Sequence, residues 1–167
     1  MPAKKSAVRS GCPIANALDL LGDRWTLLIV RDLVFERRRE FGEFLAAGEG
    51  IATNILTDRL ERLGCAGLVA RFDHPTDGKK YVYRITERGL DLIPLLIEMV
   101  LWSAKHLPAT KAPAARLEPL KTNRAAVIRE LRRSLLAELK AAGRPVAWHY
   151  WAKFTPTNQP LRRGNVT

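Results

Sequence analysis

Apolar residues recur at helical spacing near the start of the chain and predict two consecutive helices. In the first helix, Pro13 suits the first turn and Gly22 marks the end. Asp23 is a natural N-cap for a second, heavily apolar helix over residues 24–35. The apolar positions that define the first helix are Ile14, Ala17, Leu18 and Leu21.

A short helix and a longer amphipathic helix follow the charged run at residues 36–39. We expect the short helix over residues 40–47, a glycine turn over 48–50 and the longer helix over 51–65. The apolar stripe of the longer helix consists of Ile51, Ile55, Leu56, Leu60 and Leu63. Its outward positions are Thr53, Asn54, Thr57, Asp58, Arg59, Glu61 and Arg62. This order of elements is typical of a helix-turn-helix motif.

Beyond Gly67 the spacing of apolar residues changes from helical to the pattern typical of β-strands. Residues 68–72 and 81–85 favour β-strands, and the residues between them favour a turn with Lys79 and Lys80 at its tip. The turn formers are Pro75, Asp77 and Gly78. We therefore expect a β-hairpin, which makes the fold mainly α with a winged helix-turn-helix arrangement.

A further helix begins after Thr86 and extends to about residue 106. Pro94 predicts a kink or an offset start in it. The helix is apolar nearly all round, which indicates either a central core helix or a helix shared between two subunits. We favour the shared helix, because a compact winged domain offers it only one surface.

The chain divides into four parts by composition. We expect a basic arm over residues 1–11, a winged helix-turn-helix domain over 12–107, a Pro/Ala-rich linker over 108–120 and a basic helical extension over 121–167. Within the extension, Asn123 caps an amphipathic helix that runs to about residue 142. Its apolar stripe is Val127, Ile128, Leu131, Leu135 and Leu139. The tail beyond it carries the aromatic residues Trp148, Tyr150, Trp151 and Phe154.

The charge of the chain indicates its class of partner. Among 167 residues, 28 Lys and Arg oppose 17 Asp and Glu, a formal net charge of +11 that favours nucleic acid or an anionic membrane surface. No stretch approaches the 18 apolar residues of a membrane span, so we expect a cytoplasmic protein with no membrane partner. Residues 10–107 hold 13 bases and 14 acids, whereas residues 108–167 hold 12 bases and 3 acids. The surplus therefore belongs mainly to the extension.

No set of residues indicates catalysis or metal binding. His74, His106 and His149 are dispersed, and two cysteines cannot form a four-cysteine zinc site. We expect no enzymatic activity, no cofactor and no metal. Cys12 precedes Pro13 at a helix start, where the helix dipole favours a thiolate. It is either a redox switch or a small residue packed in a subunit contact, while Cys65 is expected to be structural.

Several short motifs, in order, carry a family resemblance over residues 12–106. They are Cys12-Pro13-Ile14, Leu21-Gly22-Asp23-Arg24-Trp25-Thr26-Leu27-Leu28-Ile29, Phe41-Gly42-Glu43-Phe44, Gly50-Ile51, Leu56-Thr57-Asp58-Arg59-Leu60-Glu61-Arg62-Leu63, Gly67-Leu68-Val69 and Tyr83-Arg84-Ile85-Thr86-Glu87-Arg88-Gly89. Together they resemble the HxlR-type winged helix-turn-helix transcription regulators. The resemblance implies a homodimer, held by its first and last helices, that binds operator DNA and represses or activates transcription. The expected dimer contacts are Ile14, Leu18, Leu96, Met99, Val100 and Trp102.

The expected DNA contacts fall into two groups. Side chains near the N-terminus of a recognition helix reach base edges in the major groove, and here these are Thr53, Asn54, Thr57 and Asp58. Backbone phosphate contacts are expected from Arg37, Arg38, Arg39, Arg59, Arg62, Lys79 and Lys80. The alternative is that both groups are simply solvated surface. Relative to the family, a hydroxyl that caps the recognition helix is lost or shifted at Ala52 and Thr53.

Two functions fit the sequence. The first is a homodimeric, sequence-specific regulator that responds to redox conditions or to an effector whose identity the sequence does not indicate. The second is a winged helix used as a protein-interaction module, whose basic extension binds an acidic partner or RNA. The polar outer face of the recognition helix favours the first function.

Overall fold

A computed structural model of the chain describes residues 10–107, 109 and 112–148, which form helices with one two-stranded hairpin. The helices of the amino-terminal half are α1 Pro13–Leu21, α2 Arg24–Val34, α3 Phe41–Leu45 and α4 Thr53–Cys65. The strands are β1 Val69–Asp73 and β2 Tyr81–Ile85. The remaining helices are α5 Glu87–Leu90, α6 Ile93–His106, α7 Ala114–Thr122 and α8 Arg124–Ala141. This order confirms a mainly helical winged helix-turn-helix fold.

Local capping explains where several helices begin. The Asp23 carboxylate accepts hydrogen bonds from the backbone N–H groups of Trp25 and Thr26, at 3.0 and 3.1 Å, and so starts α2. Thr86 accepts the N–H of Gly89 at 3.1 Å and starts α5 in the same way. Pro94 lies in the first turn of α6, which is why the helix expected over residues 86–106 has an offset start.

The hairpin, here called the wing, makes a backbone hydrogen bond to another segment on each of its two outer edges. β1 and β2 are antiparallel, with Arg71 opposite Tyr83. On the β2 edge, the Tyr83 N–H donates to the Arg39 carbonyl at 2.7 Å. On the β1 edge, the Val146 N–H donates to the Arg71 carbonyl at 2.8 Å. The two outer pairings join the wing to the α2–α3 loop and to the carboxyl-terminal end of the described chain.

The core lies where α2, α4, α6 and the wing meet, and it corrects one predicted contact. Leu96 was expected in a subunit interface, but it is 5% exposed and lies in the core of its own chain. The reason is helical spacing: Leu96 lies three residues after the buried Ile93 and one before the buried Ile97, on the inner stripe of α6. Val100 continues this stripe and is half-buried against the core. The structure therefore gives Val100 an inner contact as well.

In the structure, residues 114–148 are helical for most of their length and packed on the domain, and from here on the extension means these residues. The linker expected over residues 108–120 is wrong for residues 114–120, which belong to α7. Alanine and leucine have high helix propensity, and burial of Leu120 holds α7 in place. In α8, Leu135 is buried and Val127, Ile128 and Leu131 pack against the core. Most of the basic arm, with His149, Tyr150, Trp151 and Phe154, lies outside the described residues.

Candidate nucleic-acid interface

The first two turns of α4 present polar side chains to solvent. Thr53, Asn54, Thr57 and Asp58 are all exposed, while Leu56, Leu60 and Leu63 bury the opposite face of the helix. Ala52 is the N-cap, and no side chain caps the N–H groups of the first turn. The capping hydroxyl is therefore lost rather than shifted. Those N–H groups, with the positive end of the helix dipole, suit an anion such as a phosphate.

The turn before α4 combines two left-handed glycines with an ion pair to α2. Gly48 and Gly50 have φ values of 83° and 74°, a left-handed conformation that glycine adopts at little cost. Arg31 on α2 donates to the Glu49 carboxylate at 2.7 Å and ties the turn to the domain. This hydrogen bond lowers the pKa of Glu49. Its effect is larger than that of partial burial, which raises the pKa. The buried ring of Phe44 holds α3 against the core.

Arg59 and Arg62 bind atoms of their own chain. The Arg59 guanidinium donates to the Asp23 carboxylate at 2.8 Å and also pairs with Asp58. Partial burial raises the pKa of Asp23, but hydrogen bonds from Thr26 and Arg59 outweigh it and the net shift is downward. Arg62 donates to the Asp19 carbonyl at 3.2 Å. In the free chain, Arg59 therefore connects the recognition helix α4 to the N-cap of α2.

The three arginines of the α2–α3 loop bind carboxylates rather than projecting freely. Arg37 and Arg39 pair with the Glu138 carboxylate of α8 at 2.6 and 2.7 Å. Arg38 pairs with the buried Asp32 at 2.8 Å. The Arg39 side chain is only 13% exposed, so the expected phosphate contact is not the role that the structure gives it. Sequence reasoning missed Glu138, because nothing local relates it to a loop about a hundred residues away.

The tip of the wing carries two exposed lysines, as the sequence indicates. The Asp77 carboxylate accepts the Lys79 N–H at 3.1 Å, and the Lys80 N–H donates to the Asp77 carbonyl at 2.9 Å. The hydrogen bond from Lys79 lowers the pKa of Asp77. Both lysine side chains are exposed, and the Lys80 ammonium lies 3.4 Å from the Asp77 carboxylate, a solvent-screened pair that an anionic partner could replace.

An apolar surface on α1 and α6 is exposed to solvent. Ile14 is 71% exposed and Trp102 is 59% exposed, values that are high for such side chains in a single chain. The large apolar side chains exposed within the described residues are Ile14, Leu18, Leu95, Met99, Trp102 and Leu107. Four of these are among the expected subunit contacts, and Leu95 and Leu107 are exposed apolar side chains that the sequence-based prediction did not include. Their location on the first and last helices of the domain suits self-association.

The two cysteines are free thiols in different surroundings. Cys12 is exposed at the start of α1, and its N–H donates to the Ser10 hydroxyl at 3.0 Å. Cys65 ends α4 and is also exposed, and desolvation by its surroundings together with the nearby Glu61 raises its pKa. A raised pKa disfavours the reactive thiolate at Cys65, and the structural role expected for this residue stays a prediction.

The described part of the chain lacks two further features. There, no helix is long and apolar enough to cross a membrane. Nor do three or more His, Cys, Asp or Glu side chains in that part come together in a way that could hold a metal ion.

Comparison with known proteins places the fold in a family. The model of the HxlR-like helix-turn-helix family matches residues 20–111. An HTH-type transcriptional regulator of Mycobacterium tuberculosis is 38% identical over 107 residues, which are 64% of this chain and 66% of that protein. A regulator of the same type from Synechocystis is 38% identical over 88 residues, which are 53% of this chain and 64% of that protein. The chain thus spans slightly less than two thirds of the length of these relatives.

Solved structures agree with this assignment. The crystal structure of PA1607, proposed to be a transcription factor, matches with a TM-score of 0.56 and 36% identity over 63% of this chain and 73% of that one. The oxidised form of the redox regulator HypR matches with a TM-score of 0.51 and 25% identity over 61% of this chain and 100% of that one. From the family match, the relatives and the shared fold, the chain belongs to the HxlR-like helix-turn-helix family of transcriptional regulators.

Proposed function

We propose that this regulator binds DNA sequence-specifically as a homodimer on a two-fold-related operator. The observation that carries the proposal is the exposed, polar and uncapped start of α4, in a fold that also presents two exposed lysines at the tip of the wing. A helix of this kind fits the major groove with its N-terminal turns against base edges, while basic side chains contact the sugar-phosphate backbone.

The side chains of α4 supply the chemistry for base recognition. The Asn54 amide matches the donor and acceptor of adenine, and the methyl groups of Thr53 and Thr57 match the methyl group of thymine. The Asp58 carboxylate can accept a hydrogen bond from the amino group of cytosine. Its ion pair with Arg59 reduces its repulsion of nearby phosphates. Arg59 and Arg62, one turn further along α4, are then candidates for phosphate contacts.

The exposed apolar side chains of α1 and α6 support the dimer. Ile14 and Leu18 on α1 lie at helical spacing, as do Leu95, Met99 and Trp102 on α6. Burying these side chains against a second copy removes from water an apolar surface that the single chain leaves exposed. A two-fold dimer would present two copies of α4 to two half-sites of the operator.

A redox response is the regulation that we propose for Cys12. HypR, whose oxidised form shares this fold, is a redox regulator. Cys12 is exposed and lies two residues before Ile14 of the proposed subunit contact, so oxidation would alter packing there. Peroxide is expected to change the operator affinity of the wild type and not of a Cys12→Ser variant. If peroxide changed the operator affinity of the wild type and of Cys12→Ser equally, the proposal would be contradicted.

Selection of bound sequences from random DNA tests the central proposal. A two-fold-symmetric motif is the expected result, and an Asn54→Ala variant should relax the preference at one position in each half-site. Absence of any enriched sequence would contradict DNA recognition and favour the protein-interaction module. If the full chain bound RNA more tightly than DNA, the alternative function, in which the basic extension binds RNA, would be favoured.

A further inference from the structure

The carboxyl-terminal part of the described chain wraps around the wing, and the first contact is made by α8. Successive residues of a strand point to opposite faces, so Arg84 lies on the face opposite Tyr83 and its cross-strand neighbour Arg71. α8 packs against β2, and its Glu138 binds Arg84 at 3.2 Å. The same carboxylate holds Arg37 and Arg39, whose loop pairs with the β2 edge. One carboxylate therefore joins α8 to the wing and to the α2–α3 loop.

The second contact is with the outer edge of β1. The chain reverses after α8 at Gly143, which has a φ of 78°. It then runs beside β1, where the Val146 N–H donates to the Arg71 carbonyl at 2.8 Å. The Arg71 guanidinium donates in return to the Ala147 carbonyl. This pairing covers an edge that a two-stranded hairpin otherwise leaves open.

The third contact, made by Trp148, is with the opposite face of the wing. The Trp148 ring lies 6.1 Å from the Tyr83 ring, between centroids, and the Arg71 guanidinium lies 4.8 Å from its centre. Arg71 also stacks on Tyr81 at 4.5 Å. On the other side, Trp148 lies directly against Gly64 of α4, where a Cβ atom would have no room. Trp148 thus fills the space between the wing and the recognition helix.

We propose that residues 138–148 form a clamp that fixes the orientation of the wing relative to α4, and that the clamp sets DNA affinity without contacting DNA. The inference rests on the proposed DNA-binding function. A two-stranded hairpin alone is marginally stable, so fixing it before binding reduces the ordering cost when its lysines meet phosphate. The clamp lies outside residues 20–111, which match the family model, so it is a feature of this chain beyond the family domain.

A double-mutant cycle between the clamp and the wing tip tests this role. Trp148→Ala is expected to weaken operator binding about tenfold, the change that corresponds to 1.4 kcal/mol, with no change in the salt dependence. In a background that carries Lys79→Ala and Lys80→Ala, the same substitution should have no further effect, because no wing contact remains to be preorganised. Equal losses in both backgrounds would show a general structural role. If Trp148→Ala lowered the slope of log affinity against log salt concentration by about one unit, the segment would itself contact a DNA phosphate. Either result overturns the proposal.

Gly64→Ala displaces Trp148 without removing it. Alanine favours a helix more than glycine does, so the substitution should leave α4 intact while its Cβ pushes the ring away. We expect the same loss of affinity as for Trp148→Ala, and no additional loss when the two are combined. Gly42→Ala is the matched control, because a Cβ at that helical glycine meets open space. Wild-type affinity for Gly64→Ala would contradict the clamp.

Amide hydrogen exchange tests the clamp without DNA. In Trp148→Ala and Gly64→Ala, the Val146 amide and the amides of the wing should exchange faster than in the wild type, while those of α2 remain protected. Unchanged exchange in the wing would overturn the clamp whatever the DNA result. If the wing loosens but the wild type selects no DNA sequence, the clamp stands as a structural device and the proposed function fails.

Discussion

Glu138→Gln is the substitution whose effect follows most directly from the structure. The carboxylate binds three arginines, at 2.6, 2.7 and 3.2 Å, from the α2–α3 loop and from β2. Glutamine keeps the shape and one acceptor oxygen but removes the negative charge. Three cations would then lie close together without a counter-charge, and Arg39, at 13% exposure, has the least access to water.

The size of the effect lies between those of surface and buried ion pairs. Exposed pairs contribute about 0–1 kcal/mol, and breaking a buried pair costs about 3–5 kcal/mol. Because the Glu138 side chain is 35% exposed, solvent screens part of the interaction, and we expect a loss of about 1–2 kcal/mol in the free energy of unfolding. Urea unfolding should show a midpoint lowered by about 0.5–1 M with an unchanged slope.

The pH dependence gives a second readout of the same substitution. Partial burial raises the pKa of Glu138, but Arg39, Arg37 and Arg84 outweigh it and the net shift is below the ordinary value of 4.5. A carboxylate with a lowered folded-state pKa stabilises the fold above its unfolded-state pKa, and this contribution is lost as the pH falls through the folded-state value. The difference in free energy of unfolding between wild type and Glu138→Gln should therefore be largest at neutral pH and should shrink below pH 4.5.

Glu130→Gln is the control on the same helix. Glu130 is exposed and pairs only with its neighbour Arg133 among the ion pairs described, so its substitution should leave the urea midpoint unchanged. Equal destabilisation by the two substitutions would refute the reasoning, because any carboxylate of α8 would then serve as well as Glu138. A difference that persists at acid pH would also refute it.

Three further predictions follow from the site. Asp23→Ala removes both the cap of α2 and the partner of Arg59, and it should lower the free energy of unfolding by about 2 kcal/mol, measured by urea unfolding. Replacing Lys79 and Lys80 by alanine should weaken binding to operator and random DNA alike and lower the slope of affinity against salt by about two units; a loss confined to operator DNA would contradict a phosphate role. Trp102→Lys should yield a monomer in sedimentation experiments, and a dimer that survives would place the subunit contact elsewhere.

Local patterns predicted most of the domain because its helices and wing begin and end through local interactions. Asp23, Gly48 and Thr86 act within a few residues of themselves, so the sequence around them indicates the element. The contacts made by Leu96 and Glu138 could not be read in this way. Because α6 is apolar on most sides, its sequence does not predict which stripe faces the core of its own chain. Nor does the sequence around Glu138 predict its pairing with arginines distant in the chain. Gly64, isolated in an amphipathic helix, was the one visible signal of a close approach by Trp148.

The position of the basic residues in the extension changes what the net charge means. Three arginines of the extension bind acidic side chains of the domain, and the pairs are Arg116–Glu36, Arg124–Glu98 and Arg132–Asp91. Both partners of these pairs have substantial solvent exposure, so each contributes little to stability, and the burial of Leu135 and Leu120 holds the extension in place. Opposite charges then fix which way the extension lies on the domain. Because these three arginines already have acidic partners, they are poor candidates for DNA contacts, and the salt dependence of binding should be controlled by the wing tip and α4.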